Sequence, residues 1–440
     1  MNIFTPVAKL ELDKLVADGA HPDYYVKKAS PKFYQLAEEV AEFRKKHPED
    51  NERFEQEALK FVECIDQKSI DLKKVAFTFF EKHILDIRPD SMLFVCGSTV
   101  NGCGSDSADL DLCWVIPYMA KQEDGSKLLC YPTSRFAGFS PDDIFDMIRQ
   151  KFESFDEVQD VSFVQARVPI LKLRFYCGKA DIDVDININN LVGIYNTLLL
   201  RFYSTIDDRF GQMCRILKAW GKKANVINSY GKMLNSYAVC LMIVHFFQCG
   251  ANPPIFPNLN AMFPEIVDGN MPLPEVKMYL DGEIPFPVVQ MNPKNDDTLT
   301  SLIFDFLVYW GKFDYFHHEA SIRVGTVCPK KTYDPFFLEE VYDLTTVARN
   351  IKVASQDRLR QTCFSTLMYL KWTKFDFNEF TNGATAYHVG APNYQKKAAP
   401  VEKKHFFSGI CWNTSTARLE DDSSGADSGE EEFVGPIVPV

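Results

Sequence analysis

Asp109 and Asp111 stand two apart in the run from Phe94 to Ile116, FVCGSTVNGCGSDSADLDLCWVI. On an extended chain residues two apart point to one face, so both carboxylates converge on one spot. Two carboxylates side by side repel, and one takes up a proton unless a positive charge sits between them. A pair of Mg²⁺ ions meets that need, because a hard cation takes oxygen ligands and leaves room for substrate phosphates. Ahead of the pair lies Gly97-Ser98, followed by Gly102 and Gly104. A glycine lets the backbone approach a ligand closely, and exposed N–H groups with a serine hydroxyl hold a phosphate. The stretch therefore reads as a phosphate cradle beside a metal-binding strand.

A second acidic strand follows. Residues 180–190 read ADIDVDININN, with Asp181, Asp183 and Asp185 on one face and Ile182, Val184 and Ile186 on the other. Alone, such a strand is a solvated edge. Beside Asp109 and Asp111, any one of the three completes a carboxylate triad for two metals. Lys218 and Lys222 are four apart on a helical pattern and share a face, which in most proteins is an ordinary solvated stripe. Ser236 and Tyr237 open another helix, where free N–H groups and an aromatic face are on offer.

These residues need elements to hold them. From Pro31 to Phe61 the apolar spacing is helical, with Phe33, Leu36, Val40 and Phe43 on one stripe and Phe54, Ala58, Leu59 and Val62 on another. A third helix over about 71–85 ends before Pro89 and feeds a strand at Leu93–Val95. A loop is expected over 119–126, then a helix capped by Ser140 with Pro141 at its first position. Strands are expected over 158–166, 170–176 and 180–187, giving a mixed sheet of about five strands with helices around it. Beyond Gly193 the pattern is mainly helical. It includes a helix introduced by Asp207 and Asp208, one over 236–248, and segments over 299–310 and 341–352 flanking a strand-like 321–326. Order fades past Thr381, and 421–432 has the Ser, Gly and acid composition of disorder.

The 440 residues suffice for two or three domains with a sizeable core. The longest nearly unbroken apolar run, 237–247, is far short of a membrane span, and no secretory signal is visible at the start. Twelve cysteines are scattered without a Cys-x-x-Cys pair or metal-like Cys/His spacing. They are expected to be reduced and mostly buried, with no structural zinc. The net charge of −12 argues against a protein that coats nucleic acid. Half of that charge is local, since 412–440 holds seven acidic residues against Arg418. RNA binding then needs a local basic patch or a metal-centred pocket. Ser423, Ser424 and Ser428 lie among those acids, in a tail whose plainest role is solubility.

Taken together, these motifs resemble the template-independent RNA nucleotidyltransferases of the polymerase-β-like superfamily, which include cytoplasmic poly(A) polymerases and terminal uridylyltransferases. The resemblance covers roughly 51–352. Gly97-Ser98 with Asp109 and Asp111 is similar to the family's first signature, and Asp185, Asn189-Asn190 and the GIYNT of 193–197 to its second. Lys218-Ala-Trp-Gly-Lys222 resembles the lysine helix and Ser236-Tyr237 the Ser-Tyr pair. The spacing to Asn189-Asn190 selects Asp185 as the third carboxylate, which the residues alone leave open.

The resemblance implies an α/β (α+β) polymerase-β-like nucleotidyltransferase domain over 68–193. A helical central domain of the poly(A)-polymerase-associated type follows, from 31–67 and 194–380, flanked by a segment 1–30 and a tail 381–440. It further implies two Mg²⁺ or Mn²⁺ ions on Asp109, Asp111 and Asp185, and an NTP substrate. Gly97, Ser98, Asn190, Asn196, Thr197, Lys218, Lys222, Ser236 and Tyr237 would bind the nucleotide. The lysines would meet the β- and γ-phosphates with Ser98 and Ser236, Asn196 the ribose, and Tyr237 the base by stacking. The segment 339–349, EEVYDLTTVAR, resembles the family's base-selecting loop. Val341 stands where Pro is usual, and Thr345-Thr346 stand where adenylating members carry Asn and uridylating members His-Asn. Poly(A) synthesis is the default, with mixed U/G use of the nematode poly(UG) polymerase type, or uridylylation, as the alternative. Two further readings are a silent RNA-binding scaffold and a nucleotidyltransferase acting on small molecules. Without an appended RNA-binding module, target choice is expected to fall to adaptor proteins acting with the RNA 3′ end, in the cytoplasm, with no membrane involved.

Overall fold

The computed structural model describes residues 31–63, 67–105, 108–121, 127–130, 141–178, 180–342 and 344–382. The N-terminal segment, the expected cap Ser140 and the acidic tail lie outside them. The expected helical region begins as α1 (Pro31–Lys46) and α2 (Pro48–Glu63), each opened by a proline whose missing N–H costs nothing there. Both stripes are buried through Phe33, Leu36 and Val40 and through Phe54, Ala58 and Val62. α3 (Gln67–Ile87) stops just before Pro89 and leads into β1 (Met92–Cys96), as its sequence requires.

The site is held by a five-stranded sheet in the order β1-β2-β7-β6-β5, with β2 as Leu110–Val115, β5 as Val158–Val164, β6 as Ile170–Tyr176 and β7 as Asp181–Ile188. β2 and β7 run parallel and the other neighbours antiparallel, so the sheet is mixed. Period-2 alternation divides it into two faces. Leu110, Leu112 and Trp114, with Leu171, Leu173, Val184 and Ile186, turn to one side. There they pack on Phe80 and Ile84 of α3 and on Ile148 and Phe152 of α4 (Pro141–Glu153). The other face bears the acids of β2 and β7. Part of the expected loop after Ile116 is instead a hairpin, β3 (Tyr118–Lys121) with β4 (Lys127–Cys130).

The helical region carries the other residues expected at the site. α5 (Leu191–Ile206) is capped by Asn190, whose side chain accepts from Gly193 N–H at 3.3 Å. α6 (Asp208–Lys223) is capped by Asp207, and α7 (Ser236–His245) by Asn235. α7 runs on as a π-helical turn, Phe246–Gly250, rather than as α-helix to Gln248. Short helices α8 (Leu259–Met262), α9 (Pro264–Val267) and α10 (Leu273–Asp281) precede α11 (Leu299–Lys312). The hairpin of β8 (His318–Ser321) and β9 (Thr326–Pro329) follows, then α12 (Val353–Trp372) and α13 (Phe377–Asn382). Although α1 and α2 precede the sheet in sequence, they pack on α12, α11 and α6. The Glu55 carboxylate of α2 accepts from the N–H groups of Leu299 and Thr300 at 3.1 and 2.6 Å, capping the start of α11.

Two further expectations are corrected. Residues 321–326 are not a strand but the turn of the β8–β9 hairpin, where Gly325 takes a φ of +76°. Residues 341–352 are not a helix. Leu344 has a φ of +54°, and the chain folds back so that Glu340 N–H donates to Thr345 O and Val347 N–H to Leu338 O. A left-handed residue cannot continue an α-helix. The helix begins only at Val353.

Candidate active site

The parallel register of β2 and β7 sets Asp111 directly beside Asp185. On the outer sides, Cys96 of β1 is the partner of Asp111, and Lys172 of β6 is the partner of Asp185. Strands lie about 4.8 Å apart, so Cys96, Asp111, Asp185 and Lys172 form one lateral row. Asp109, just before β2, adds its charge to Asp111. Asp183 and Asp181 lie further along the same face, and Asp183 pairs with Arg174 at 3.2 Å. Of the three acids on β7, the register thus brings Asp185 to Asp111.

Three carboxylates so close cannot all stay ionised without compensation. Burial first, then the charges of Asp185 and Asp109, push Asp111 up to about 7. Burial and Asp185 also raise Asp109. Lys172 is the counter-charge and was not anticipated from sequence. Its ammonium donates to both Asp185 oxygens, at 2.9 and 2.7 Å. Burial pulls its pKa down, but the Asp185 contact and the charges of Asp109 and Asp111 outweigh that and raise it.

The glycine-serine turn is built for close approach. Gly97 has a φ of +65°, and a Cβ there would strike the Asp111 carboxylate. Gly97 N–H donates to the Thr197 hydroxyl at 3.0 Å, and that hydroxyl donates to Gly193 O at 2.7 Å. Thr197 is therefore buried and ties the turn to α5, while Asn190 is occupied in capping it. Ser98 lies half-buried in the turn. The rest of the loop is pressed on α6. Arg215 donates to Gly102 O at 3.1 Å and Lys218 to Cys103 O at 2.9 Å. Lys222, one turn on, is exposed, and its charge reaches Asp109.

Ser236 and Tyr237 are half-buried at the start of α7. The Tyr237 hydroxyl donates to Asn196 Oδ1, and Asn196 Nδ2 donates to Glu340 Oε1 at 2.6 Å. Glu340 Oε2 accepts from Tyr342 N–H at 2.9 Å. Glu340 thus fixes both residues expected to meet ribose and base. It lies in the loop singled out from sequence, at a position not selected there. Thr345 is exposed, whereas Thr346 is buried. The Thr346 hydroxyl accepts from Leu338 N–H and Ala348 N–H at 3.1 and 3.0 Å and donates to Phe336 O at 3.1 Å. Its side chain shapes the loop from within, rather than offering a group to a base.

A mixed sheet with paired acids on β2 and β7, a glycine-serine turn and a lysine helix docked on that turn is the arrangement expected of a polymerase-β-like nucleotidyltransferase. Residues 56–205 match the family model of the central palm domain of mitochondrial-like poly(A) RNA polymerase. The chain is 31% identical over 273 residues to Drosophila melanogaster poly(A) RNA polymerase gld-2 homolog A, covering 59% of this chain and 18% of that protein. It is 28% identical over 322 residues to human poly(A) RNA polymerase GLD2, covering 69% of this chain and 61% of that one. The chain thus spans less than two thirds of the length of these curated relatives. Among solved structures it is similar to a GLD-2/RNP-8 complex, with a TM-score of 0.61 and 22% identity over 75% of this chain and 98% of that one. A cytoplasmic RNA terminal U-transferase gives a TM-score of 0.56 and 25% identity, over 72% and 94%. Over 56–205 the chain is thus similar to the palm domain of these RNA polymerases, and the curated relatives it resembles are poly(A) RNA polymerases of the GLD2 type.

Proposed function

We propose that this chain adds untemplated ribonucleotides to RNA 3′ ends, with adenylate favoured, by transfer of a nucleotidyl group from an NTP and release of pyrophosphate. The observation that carries the reading is the lateral row of Asp111, Asp185 and Lys172, with Asp109 alongside and the charge of Lys218 reaching Asp111. The donor set suits hard divalent cations: three carboxylates, one of them pushed up to about 7 by burial and then by the charges of the other two. Asn187, two positions beyond Asp185 on the same face, keeps a buried Oδ1 without a partner. Two divalent ions bound at Asp109, Asp111 and Asp185 would supply the charge neutralisation that phosphoryl transfer needs.

The protein's own residues do the positioning. The Gly97-Ser98 turn lies directly against Asp111, since nothing larger than hydrogen fits at Gly97, and so brings a phosphate held by the turn next to the acid row. Lys218 and Lys222 hold the leaving phosphates, with Ser98 and Ser236 beside them. Tyr237 presents its ring to the base while its hydroxyl is fixed by Asn196 and Glu340. Such fixed groups lower the barrier through orientation and electrostatics.

Adenylate is favoured by the poly(A) polymerase names of the curated relatives. Mixed U/G or uridylyl tailing is the second reading. It is supported by a loop with neither His nor Asn at 345–346 and by the likeness to a terminal U-transferase. Adaptor partners are proposed as well, on the likeness to GLD-2 in its complexes with RNP-8 and GLD-3. The test is extension of a short labelled RNA with Mg²⁺ and each NTP alone, then all four, followed by product sequencing. Tails of A alone support poly(A) synthesis, and alternating or mixed U and G tails move the assignment to the second reading. No extension with any mixture, with or without adaptors, refutes both.

A further inference from the structure

Three cysteines distant in sequence meet where the glycine-rich turn docks on the helical region. Cys103 follows the turn, Cys214 lies in α6 one turn before Lys218, and Cys240 lies in α7 one turn after Ser236. All are free thiols, at most 2% exposed, and their sulfurs lie within 4.8 Å of one another. Among the described residues no other three cysteines do so. A buried cysteine is ordinarily a small apolar side chain. Two features go beyond that.

The first is distance. A soft ion such as Zn²⁺ bonds thiolate sulfur at about 2.3 Å, which puts sulfurs of one coordination shell about 3.8–4.0 Å apart. The trio needs little movement to reach that. The second is charge. Three thiolates around a divalent ion carry a net −1, and a buried charge demands a partner. One is already in place. Lys218 is held against the cluster by its bond to Cys103 O at 2.9 Å, and Arg215 flanks it through Gly102 O.

We propose that Cys103, Cys214 and Cys240 form a three-thiolate site for one soft divalent cation of the Zn²⁺/Cd²⁺ class, with Lys218 as counter-charge. Binding exchanges three thiol protons for the ion, giving [M(SR)₃]⁻ and three H⁺ with no change of oxidation state. The donors separate this site from the carboxylate row, since Mg²⁺ takes oxygen and thiolate selects softer ions. Its three ligands sit on the elements that carry Ser98, Lys218 and Tyr237, so an ion here fixes those elements to one another. The binding itself does not depend on the proposed tailing activity.

The test is titration of the full chain, kept reduced by a phosphine, with Cd²⁺ in excess Mg²⁺, read by the sulfur-to-cadmium charge-transfer band. One equivalent is expected to bind. Ser at position 103, 214 or 240 (Cys103→Ser, Cys214→Ser, Cys240→Ser) weakens it at least about tenfold. Lys218→Met weakens it by about tenfold too, as the net −1 loses its partner. Cys363→Ser, in α12, leaves it unchanged. X-ray absorption of the wild-type chain with one equivalent of Zn²⁺ serves where a serine variant fails to fold; three sulfur neighbours at about 2.3 Å are expected. No one-equivalent band, a band that survives Cys240→Ser, or a first shell of nitrogen and oxygen overturns the proposal.

Discussion

Removing a negative charge from the acid row is expected to stabilise the metal-free protein while abolishing its activity. Asp111 rises from 3.8 to about 7, chiefly through burial and then through Asp185 and Asp109. A carboxylate with a folded-state pKa above its unfolded one makes the folded chain bind more protons across that interval. Stability then falls as pH rises from about 4 to about 7, and stays at the lower level above that. At about 1.4 kcal/mol per unit, three units amount to roughly 4 kcal/mol. Solvent at the exposed Asp109 screens the row, so about 2–4 kcal/mol is the expected gain for Asp111→Asn at pH 8. The assay is thermal unfolding in EDTA across pH 4 to 8, repeated in Mg²⁺. The variant should melt several degrees above wild type at pH 8 without metal, lose that advantage towards pH 4, and gain less than wild type from Mg²⁺. An Asp111→Asn chain equally stable or less stable in EDTA at pH 8 refutes the argument that Lys172 leaves the row only partly compensated.

Four other perturbations test neighbouring parts of the account. Gly97→Ala forces a left-handed alanine whose Cβ strikes Asp111; strain of about 1–2 kcal/mol and near-complete loss of extension are expected in melting and primer-extension assays. Lys172→Met leaves Asp185 without its ion-pair partner and should lower metal-free stability at pH 8 by about 1–3 kcal/mol, with a correspondingly larger melting shift on adding Mg²⁺. Glu340→Gln keeps an acceptor for Tyr342 N–H but weakens the hold on Asn196 and Tyr237; the KM for NTP should rise about tenfold with little change in melting temperature. Thr346→Val strands the N–H groups of Leu338 and Ala348 and should destabilise by about 1–3 kcal/mol, visible as faster hydrogen exchange in the loop.

The sheet and its flanking helices were legible because their patterns are local. The alternation of acid and apolar residues over 181–186 gives both the strand and its two faces without any tertiary information. What stayed hidden depended on partners distant in sequence. Lys172 lies on a strand that was expected, yet its role follows only from the antiparallel register that sets it opposite Asp185. Glu340 looks like any loop acid until α5 and α7 bring Asn196 and Tyr237 to it. The helix expected over 341–352 failed because a left-handed Leu344 and bonds back to Leu338 override local spacing. α12 escaped notice because its buried stripe includes Cys363 and Thr366 among longer apolar residues, which blurs its periodicity. The cysteine trio has no spacing signature, since each member sits on a different element.

The most direct test of the central claim, that the acid row of Asp109, Asp111 and Asp185 carries out nucleotidyl transfer, is single-turnover incorporation from an α-labelled NTP. The acceptor RNA would end in a 3′-hydroxyl or, as a control, in a 3′-deoxy residue. Label is expected on the hydroxyl-ended RNA alone, with the rate reduced at least about a thousandfold, some 4 kcal/mol of barrier, in Asp185→Asn. Transfer that persists in Asp185→Asn and in Asp109→Ala/Asp111→Ala would place the chemistry elsewhere and contradict the account.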